Sequence, residues 1–512
     1  MEYKPVTGVW EITMGCNLRC MHCGSSCENA LEGELTTNEA VSLAKDLGIL
    51  GFKWLTLSGG EPTIRKDWDI IAKALYDNGI IPNIITNGWL FTKETIERAE
   101  KAHVNTIAIS LDGLKDTHDA IRREGSYDRI MSALDLFKGS TVHPSIITTV
   151  NRKNINELTE ILKILNKKRI SGWQLQIILP MGNTLDNKDL LMGPADVDEI
   201  IDFAYNAMKN AENKVNVRLA DCLGYFNNKE IEIRAKDKKN NFYSWQGCNA
   251  GKYSLGILHN GDIIGCTSVR DKEYIEGNIR KTPIKEIWES EKSFQWNRNL
   301  KKENLKGFCK KCGYGSKCLG GCANTRVTMT RDINGENEYC SYNYSFKIAE
   351  KQLEDDSLED LYEKAELFIE KNNFQLAEIC LKNIIEKDEN YKKTLSLSGY
   401  VNFMLENYEV SKFANQKILL KNPNDVYANK GMGLCLSKTG YVEEGINYLK
   451  KSIELTKTDF MDPYYDLAVV YYENNLIDES ISILKKGIDK SNEFEEKVDT
   501  FYNRLLEVKS RG

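Results

Sequence analysis

The sequence is poor in histidine and proline, with 5 and 9 residues among 512. So few imidazoles leave little material for Cys–His nucleophilic chemistry or a His-rich zinc site. There is no H-E-x-x-H metalloprotease motif and no G-x-x-x-x-G-K-[ST] phosphate loop. No apolar run approaches the ~18 residues that a membrane span needs. The opening Met1-Glu2-Tyr3-Lys4-Pro5 lacks the basic-then-apolar pattern of an export signal. Neither charge dominates: 69 Lys and Arg stand against 75 Asp and Glu, a net charge of −6. That balance argues against a dedicated nucleic-acid surface. The expectation is a cytoplasmic chain with no membrane and no nucleic acid among its partners. At ~150 residues per domain its length suggests three domains.

What the sequence does have is cysteine, 14 residues in all. In a long chain without an export signal, cysteines read as metal ligands before disulfides. They are grouped. Cys16, Cys20, Cys23 and Cys27 come first, none occurs from 28 to 221, and eight lie between 222 and 340. Cys380 and Cys435 stand alone on apolar helix faces, where core packing is the natural reading.

Three regions follow one another. From residue 6 to 180, short apolar runs at 6–13, 54–57, 82–85, 106–110, 145–150 and 174–179 alternate with amphipathic stretches, the βαβ pattern of a parallel sheet. Residues 38–48 read as one of the helices, with Val41, Leu43, Ala44 and Leu47 apolar and Gly48 as its stop. Six βα units without G-x-G-x-x-G after the first strand favour a partial (β/α)6 TIM-type barrel over a doubly wound sheet. From 181 to 345 periodicity fades and Gly, Asn, Lys and Cys dominate, so this part needs a cross-link such as a metal cluster. From 352 to 512 similar helical segments begin near Leu361, Tyr391, Val426 and Pro463, about every 35 residues. Their turns are Asn372-Asn373-Phe374, Glu406-Asn407-Tyr408, Thr439-Gly440-Tyr441 and Asn474-Asn475-Leu476, and a small residue such as Ala377 follows. This resembles about four tetratricopeptide repeats, an all-α solenoid.

Cys16-Asn17-Leu18-Arg19-Cys20-Met21-His22-Cys23 directly follows the first expected strand. Three thiolates in so tight a loop suit an iron–sulfur cluster with one iron open to an outside ligand. A zinc site completed by His22 or Cys27, or buried thiols, would have the same spacing. Further motifs end the next strands: Ser58-Gly59-Gly60-Glu61-Pro62, Thr86-Asn87-Gly88 and Ser110-Leu111-Asp112-Gly113. In this order they resemble the radical S-adenosylmethionine superfamily. The resemblance implies S-adenosylmethionine beside Gly59, Gly60, Glu61, Asn87, Ser110 and Asp112, with the glycines giving the ligand close access and Glu61 facing its ammonium. It also implies cleavage of the cofactor by one electron and hydrogen abstraction from an unactivated C–H bond.

Cys248, Cys266, then Cys309-x2-Cys312-x5-Cys318-x3-Cys322, and finally Cys340 form a second pattern. It resembles the SPASM domain, which carries auxiliary [4Fe–4S] clusters; a pair of zinc knuckles would share the C-x2-C spacing. The resemblance assigns Cys309, Cys312, Cys318 and Cys340 to one cluster and Cys248, Cys266 and Cys322 to another. Where several relatives have a fourth cysteine, Ser254 stands, so that cluster has an open iron or recruits Cys222. The implied organisation is a barrel core (1–180), a bridging region (181–240), the SPASM domain (241–350) and the repeats (352–512). Three [4Fe–4S] clusters and a flavodoxin- or ferredoxin-type donor come with it.

The best-populated role among such proteins is modification of a ribosomally made peptide, through a thioether or other crosslink. Sulfatase maturation is a rival, weakened because Thr267 rather than aspartate follows Cys266. Only 15 residues precede Cys16, too few for a leader-binding domain. The repeats would then hold the peptide or protein substrate. Alternatively they dock a partner while the enzyme acts on a small molecule.

Overall fold

A computed structural model describes residues 3–225, 227–236, 245–456 and 460–511. The chain divides into two compact units, Met1–Lys310 with Tyr314–Ser345, and Phe346–Gly512 with Lys311–Gly313. Residues 237–244, on which the expected boundary between bridging and SPASM regions falls, lie outside the described residues.

The first unit is built on one sheet. Strands β1 (Thr7–Thr13), β2 (Trp54–Gly59), β3 (Ile81–Thr86), β4 (Thr106–Ser110), β5 (His143–Val150), β6 (Gly172–Ile177) and β7 (Asn216–Leu219) lie side by side in chain order, all parallel. On the other side of β1 stand β8 (Ser254–Ile257), parallel to it, and then β9 (Asp262–Ile264) and β10 (Ile275–Asn278), both antiparallel to their neighbours. Helices α1 (Thr37–Leu50), α2 (Trp68–Asp77), α3 (Lys93–Lys101), α4 (Lys115–Ile121), α5 (Ser126–Asp135) and α6 (Leu158–Lys167) fill the crossovers. Strand residues alternate between full burial and partial exposure. Leu55, Leu57, Ile107, Ile109, Leu175 and Ile177 join one apolar core with the helices. Thr56, Ser58, Ala108, Ser110 and Gln176, in the other register, are half-exposed. An open parallel sheet with helices over one face and a solvated opposite face is the partial TIM-type barrel.

Two expectations are corrected here. Helix α1 does not stop at Gly48. It runs to Leu50 and ends on Gly51, whose left-handed φ of 95° closes the last turn. Gly48 is glycine for contact instead: a Cβ there would lie 2.5 Å from Asn78 O at the end of α2. Val41 is 38% exposed, and Ala40 takes the buried position beside Leu43, Ala44 and Leu47. The region after 180 is also more regular than its composition suggests. Helix α7 (Pro194–Lys209) buries Val197, Ile200, Ile201, Ala204 and Ala207, a helical spacing broken up in the sequence by Asp and Asn, and β7 and β8 extend the sheet on both sides.

The second unit is helical. The pairs Leu358–Glu370 with Phe374–Asp388, Thr394–Met404 with Tyr408–Lys421, Val426–Lys438 with Val442–Leu455, and Asp462–Glu473 with Ile477–Ile488 each pack closely, and Asn492–Arg511 follows. Every pair turns on a left-handed residue, Asn372, Glu406, Gly440 or Asn475, 34 or 35 residues after the last. The next residue's N–H returns to a carbonyl five positions earlier: Asn373 to Phe368, Asn407 to Asn402, Tyr441 to Leu436 and Leu476 to Tyr471. Small residues let the paired helices touch. Ser411 and Ser480 donate to the carbonyls of Gly399 and Ala468 at 2.6 and 2.8 Å, and Gly433 faces Gly445.

A Cβ on Gly433 would lie 2.7 Å from Gly445 O. Gly433→Ala should therefore destabilise the helical unit by about 1–3 kcal/mol despite alanine's better helix propensity. Urea unfolding followed by circular dichroism measures it; unchanged stability would mean that this helix pair separates freely.

Candidate functional site

The four motifs end four adjacent parallel strands and so meet along one edge of the sheet. The chain leaves β1 at Thr13 and enters the loop bearing Cys16, Cys20 and Cys23; β2, β3 and β4 end at Gly59, Thr86 and Ser110. Gly59 has φ 137°, and its Cβ would stand 2.1 Å from Thr13 O; one on Gly60 would stand 2.0 Å from Gly15 O. Gly60 N and Glu61 N donate to those same carbonyls at 2.8 Å. The close approach that the glycines permit is thus to the strand leading into the cysteine loop.

Glu61 is fully buried. Its Oε1 accepts from Thr63 N, Thr63 Oγ1 and Thr86 Oγ1, and its Oε2 accepts from Asn87 N at 2.7 Å. Burial raises this carboxyl above its ordinary range, with those hydrogen bonds opposing. The carboxylate clamps the end of β3 to the end of β2. Asn87 continues inward, donating through Nδ2 to Asn17 Oδ1 at 2.7 Å. Asn17 Nδ2, in the cysteine loop, is buried and has no hydrogen-bond partner among the described residues.

Asp112 is also fully buried. It takes Thr149 N on Oδ1 and both His22 Nε2 (2.7 Å) and Arg122 Nε on Oδ2. Burial raises its carboxyl, but Arg122 and His22 outweigh that and hold it well below the usual carboxylate range. Arg122 Nη1 in turn approaches Cys20 Sγ at 3.7 Å. Ser110 is half-exposed at the tip of β4. His22 and Asp112 therefore bond to each other, and Asp112 bears on the cysteine loop through Arg122. Nothing in the spacing of Arg122 announces this role.

In the second cysteine group, Cys322 is pushed up by burial and then by the charges of Cys248, Cys222 and Cys266. These four share one electrostatic neighbourhood, and the Tyr225 side chain ties the segment of Cys222 to Cys322. Tyr225, three residues after Cys222, accepts Cys322 N on its hydroxyl at 2.5 Å, and a Cβ on Gly321 would strike its ring. Cys309, Cys312, Cys318 and Cys340 are buried. Cys318 and Cys340 pack with Tyr225 and Trp245, and Cys309 packs with Leu300 and Leu305. A tie that sequence reasoning missed joins the two cysteine regions: Arg270 donates to both oxygens of Glu11 on β1 and to Ser25 Oγ.

The donor set fits thiolates. Leu18 N faces Cys16 Sγ at 3.4 Å, Asn337 N faces Cys309 Sγ at 3.4 Å and Asn343 N faces Cys340 Sγ at 3.5 Å. Burial pushes Cys20 and Cys222 up to about 11, so a thiolate at either position calls for a metal's positive charge. Among the described residues no three His, Cys, Asp or Glu stand where one metal ion could be held. Thiolates on a multi-iron cluster each take a different iron. Cys27 hydrogen-bonds Cys23. Cys380 and Cys435 are buried in the helical unit, Cys435 against Ser411 Oγ at 3.1 Å. Among the described residues no helix is long and apolar enough to cross a membrane.

Residues 10–165 match the model of the radical SAM superfamily, and residues 248–313 match SPASM, an iron–sulfur cluster-binding domain. The chain is 32% identical over 352 residues to the AdoMet-dependent heme synthase of Methanosarcina barkeri, covering 67% of this chain and 98% of that protein. It is 25% identical to the mycofactocin maturase MftC of Mycolicibacterium smegmatis, over 68% and 86% of the two chains. The solved structure of native anSMEcpe with bound AdoMet and a Cp18Cys peptide superposes with TM-score 0.54 at 20% identity, over 67% of this chain and 96% of that one. At that identity the likeness is one of fold.

Asp112→Asn removes one partner of a buried ion pair and should cost about 3–5 kcal/mol at pH 7. A depressed carboxyl contributes stability above its unfolded pKa, near 3.9, and loses it as pH falls further. The gap between wild type and variant should therefore narrow below about pH 4. Thermal unfolding at a series of pH values tests this; a gap independent of pH would remove the charge from the account.

Proposed function

The chain belongs to the radical SAM superfamily and carries an iron–sulfur cluster-binding SPASM domain, and from this premise we propose that it removes hydrogen from a peptide or protein substrate to install a post-translational modification. The observation that carries this reading is the array of helix pairs across residues 358–488, which falls outside both matched family models. Solenoids of helix pairs present extended surfaces suited to peptides. The half-exposed face of the barrel adds support. Thr56, Ser58, Asn83, Ser110, Thr149 and Gln176 offer neutral donors and acceptors of the kind that peptide amides satisfy.

In this reading Cys16, Cys20 and Cys23 hold one [4Fe–4S] cluster. S-adenosylmethionine lies against the backbone around Gly59 and Gly60, with Asn87, Ser110 and Asp112 at the neighbouring strand ends. Glu61 and Asp112 act from behind, fixing the β3 loop and Arg122. When bound, cofactor and cluster supply the one-electron chemistry that takes hydrogen from a C–H bond. Cys309, Cys312, Cys318 and Cys340 hold a second cluster. Cys248, Cys266 and Cys322 hold a third, with Cys222 its fourth ligand because of its place beside Cys322. A small acidic redox protein of the flavodoxin or ferredoxin kind delivers the electron. The residues' own task is to hold the target C–H bond in place and keep water out.

A second reading is favoured by the 32% identity to a heme synthase over 98% of its length. The substrate would then be an iron porphyrin, and the helix pairs would dock a partner. The two readings part on one assay. Mass spectrometry of candidate peptides after anaerobic turnover should show a mass change. Heme formation from an iron porphyrin with every peptide unaltered would establish the second reading instead.

Reconstituted protein should hold roughly twelve iron and twelve sulfide per chain, four of each per cluster. Replacing Cys16, Cys20 and Cys23 together by Ala should remove about a third of that iron and abolish S-adenosylmethionine cleavage; undiminished cleavage would exclude the barrel from the chemistry. Cys222→Ala should alter the paramagnetic signal of one auxiliary cluster and leave the others alone. An unaltered spectrum would leave that cluster with an open iron.

A further inference from the structure

Among the described residues Arg326 is the largest buried charged side chain of the cysteine-rich region, and its guanidinium has no hydrogen-bond partner there. It sits in the helix Ala323–Thr330, four residues after Cys322, with no exposed surface at all. Its main chain is conventionally engaged, N to Cys322 O and O to Thr330 Oγ1. Its Nε, Nη1 and Nη2 are all buried without a hydrogen-bond partner among the described residues. A guanidinium stays charged under all ordinary conditions and carries five N–H donors. A buried, unpaired cation is costly, so a fold that keeps one must meet it with an anion.

Among the described residues no acid hydrogen-bonds it. Asp332 lies close enough to feel the charge of Arg326, but its carboxylate accepts from Lys306 and from Asn334 N instead. Lys252, also buried, adds a second cation rather than an acid; it feels both Arg326 and Cys248. Room for the guanidinium is provided by glycine: a Cβ on Gly320 would lie 2.8 Å from Arg326 Cδ. Arg326 thus stands one helical turn after Cys322, beside the Gly320 backbone, with Lys252 as a second buried cation nearby and five donors of its own to satisfy.

We infer that Arg326 donates hydrogen bonds to the sulfur atoms of the auxiliary cluster held by Cys248, Cys266 and Cys322, and so raises its reduction potential. A thiolate-ligated cluster is an anion with sulfur acceptors on every face, and hydrogen bonds to those sulfurs favour the more negative, reduced state. Arg326 is thus a positioning and tuning residue that acts through the cluster. The inference rests on the cluster assignment proposed above, and the two fail differently: iron content and cluster spectra test the assignment, whereas potential and nitrogen couplings test Arg326.

The experiment is a redox titration of the holoenzyme by paramagnetic resonance, with Arg326→Met and Arg326→Lys beside wild type. Arg326→Met should shift one auxiliary cluster's midpoint negative by at least a tenfold change in its reduction equilibrium, 59 mV for one electron. Arg326→Lys should shift it less, and the other clusters should keep their potentials. Three unchanged potentials in an iron-replete variant would overturn the proposal. Should Arg326→Met lose its iron, wild-type protein labelled with nitrogen-15 arginine still decides: the reduced auxiliary-cluster signal should carry nitrogen coupling that Arg326→Lys loses. Absence of that coupling in wild type would overturn the proposal as well.

Discussion

One approach of backbone to backbone governs the mouth of the barrel. Gly59 and Gly60 press the end of β2 against residues 13–15, where a side chain's first carbon would stand about 2 Å from a carbonyl oxygen. Because the chains meet there, Glu61 is carried into a fully buried position between strand ends. An ionised carboxylate in such a place is costly unless its lone pairs are taken. Four hydrogen bonds take them, two from Thr63 and one each from Thr86 and Asn87. Charge-assisted bonds of this kind contribute about 1.5–3 kcal/mol apiece. Asn87 then passes the order on to Asn17 in the cysteine loop. The position of three thiols thus depends on two glycines well over thirty residues further along the chain.

The second support of that loop is electrostatic. Asp112 gathers His22 and Arg122 around one buried carboxylate, and Arg122 reaches on to Cys20. His118 completes the arrangement without charge. Burial, with Arg122 nearby, pushes it down to about 4, so it is neutral at physiological pH and its Nδ1 accepts Asp112 N at 3.0 Å. A cation that serves both a carboxylate and a sulfur is held in one geometry by the two together, which is how a side chain at a helix end comes to support the cysteine loop.

Much of this was legible in the sequence. Alternating apolar runs give all six strands of the barrel to within two residues at each end, because a parallel sheet under helices demands such runs. The turns of the helix pairs were legible because a left-handed position selects Asn or Gly, although Glu406 occupies one of them. Helix α7 was not legible, since its apolar positions are separated by Asp and Asn that composition counts as loop. Gly48 misled for the opposite reason: clearance for Asn78 and the stopping of a helix leave the same residue in the sequence. At the site, the cysteines and strand-end motifs were visible as spacings. Arg122, Arg270 and Arg326 were not, because one arginine carries no spacing and its meaning comes only from what folding places around it.

The two buried arginines beside cysteine groups show how differently the two regions settle their charge. Arg122 has Asp112, so its charge is met by the protein itself and the first loop can take its shape from internal contacts. Arg326 has no such hydrogen-bonding acid among the described residues. A cluster that met this charge, as inferred above, would gain the interaction on assembly, and cluster binding and folding would share free energy there. The region after residue 245 has short helices, short strands and small satellite apolar clusters, the architecture that relies on such a contribution. A cluster held as inferred above would also link redox state to packing, because an added electron would strengthen its attraction for the guanidinium in the helix Ala323–Thr330.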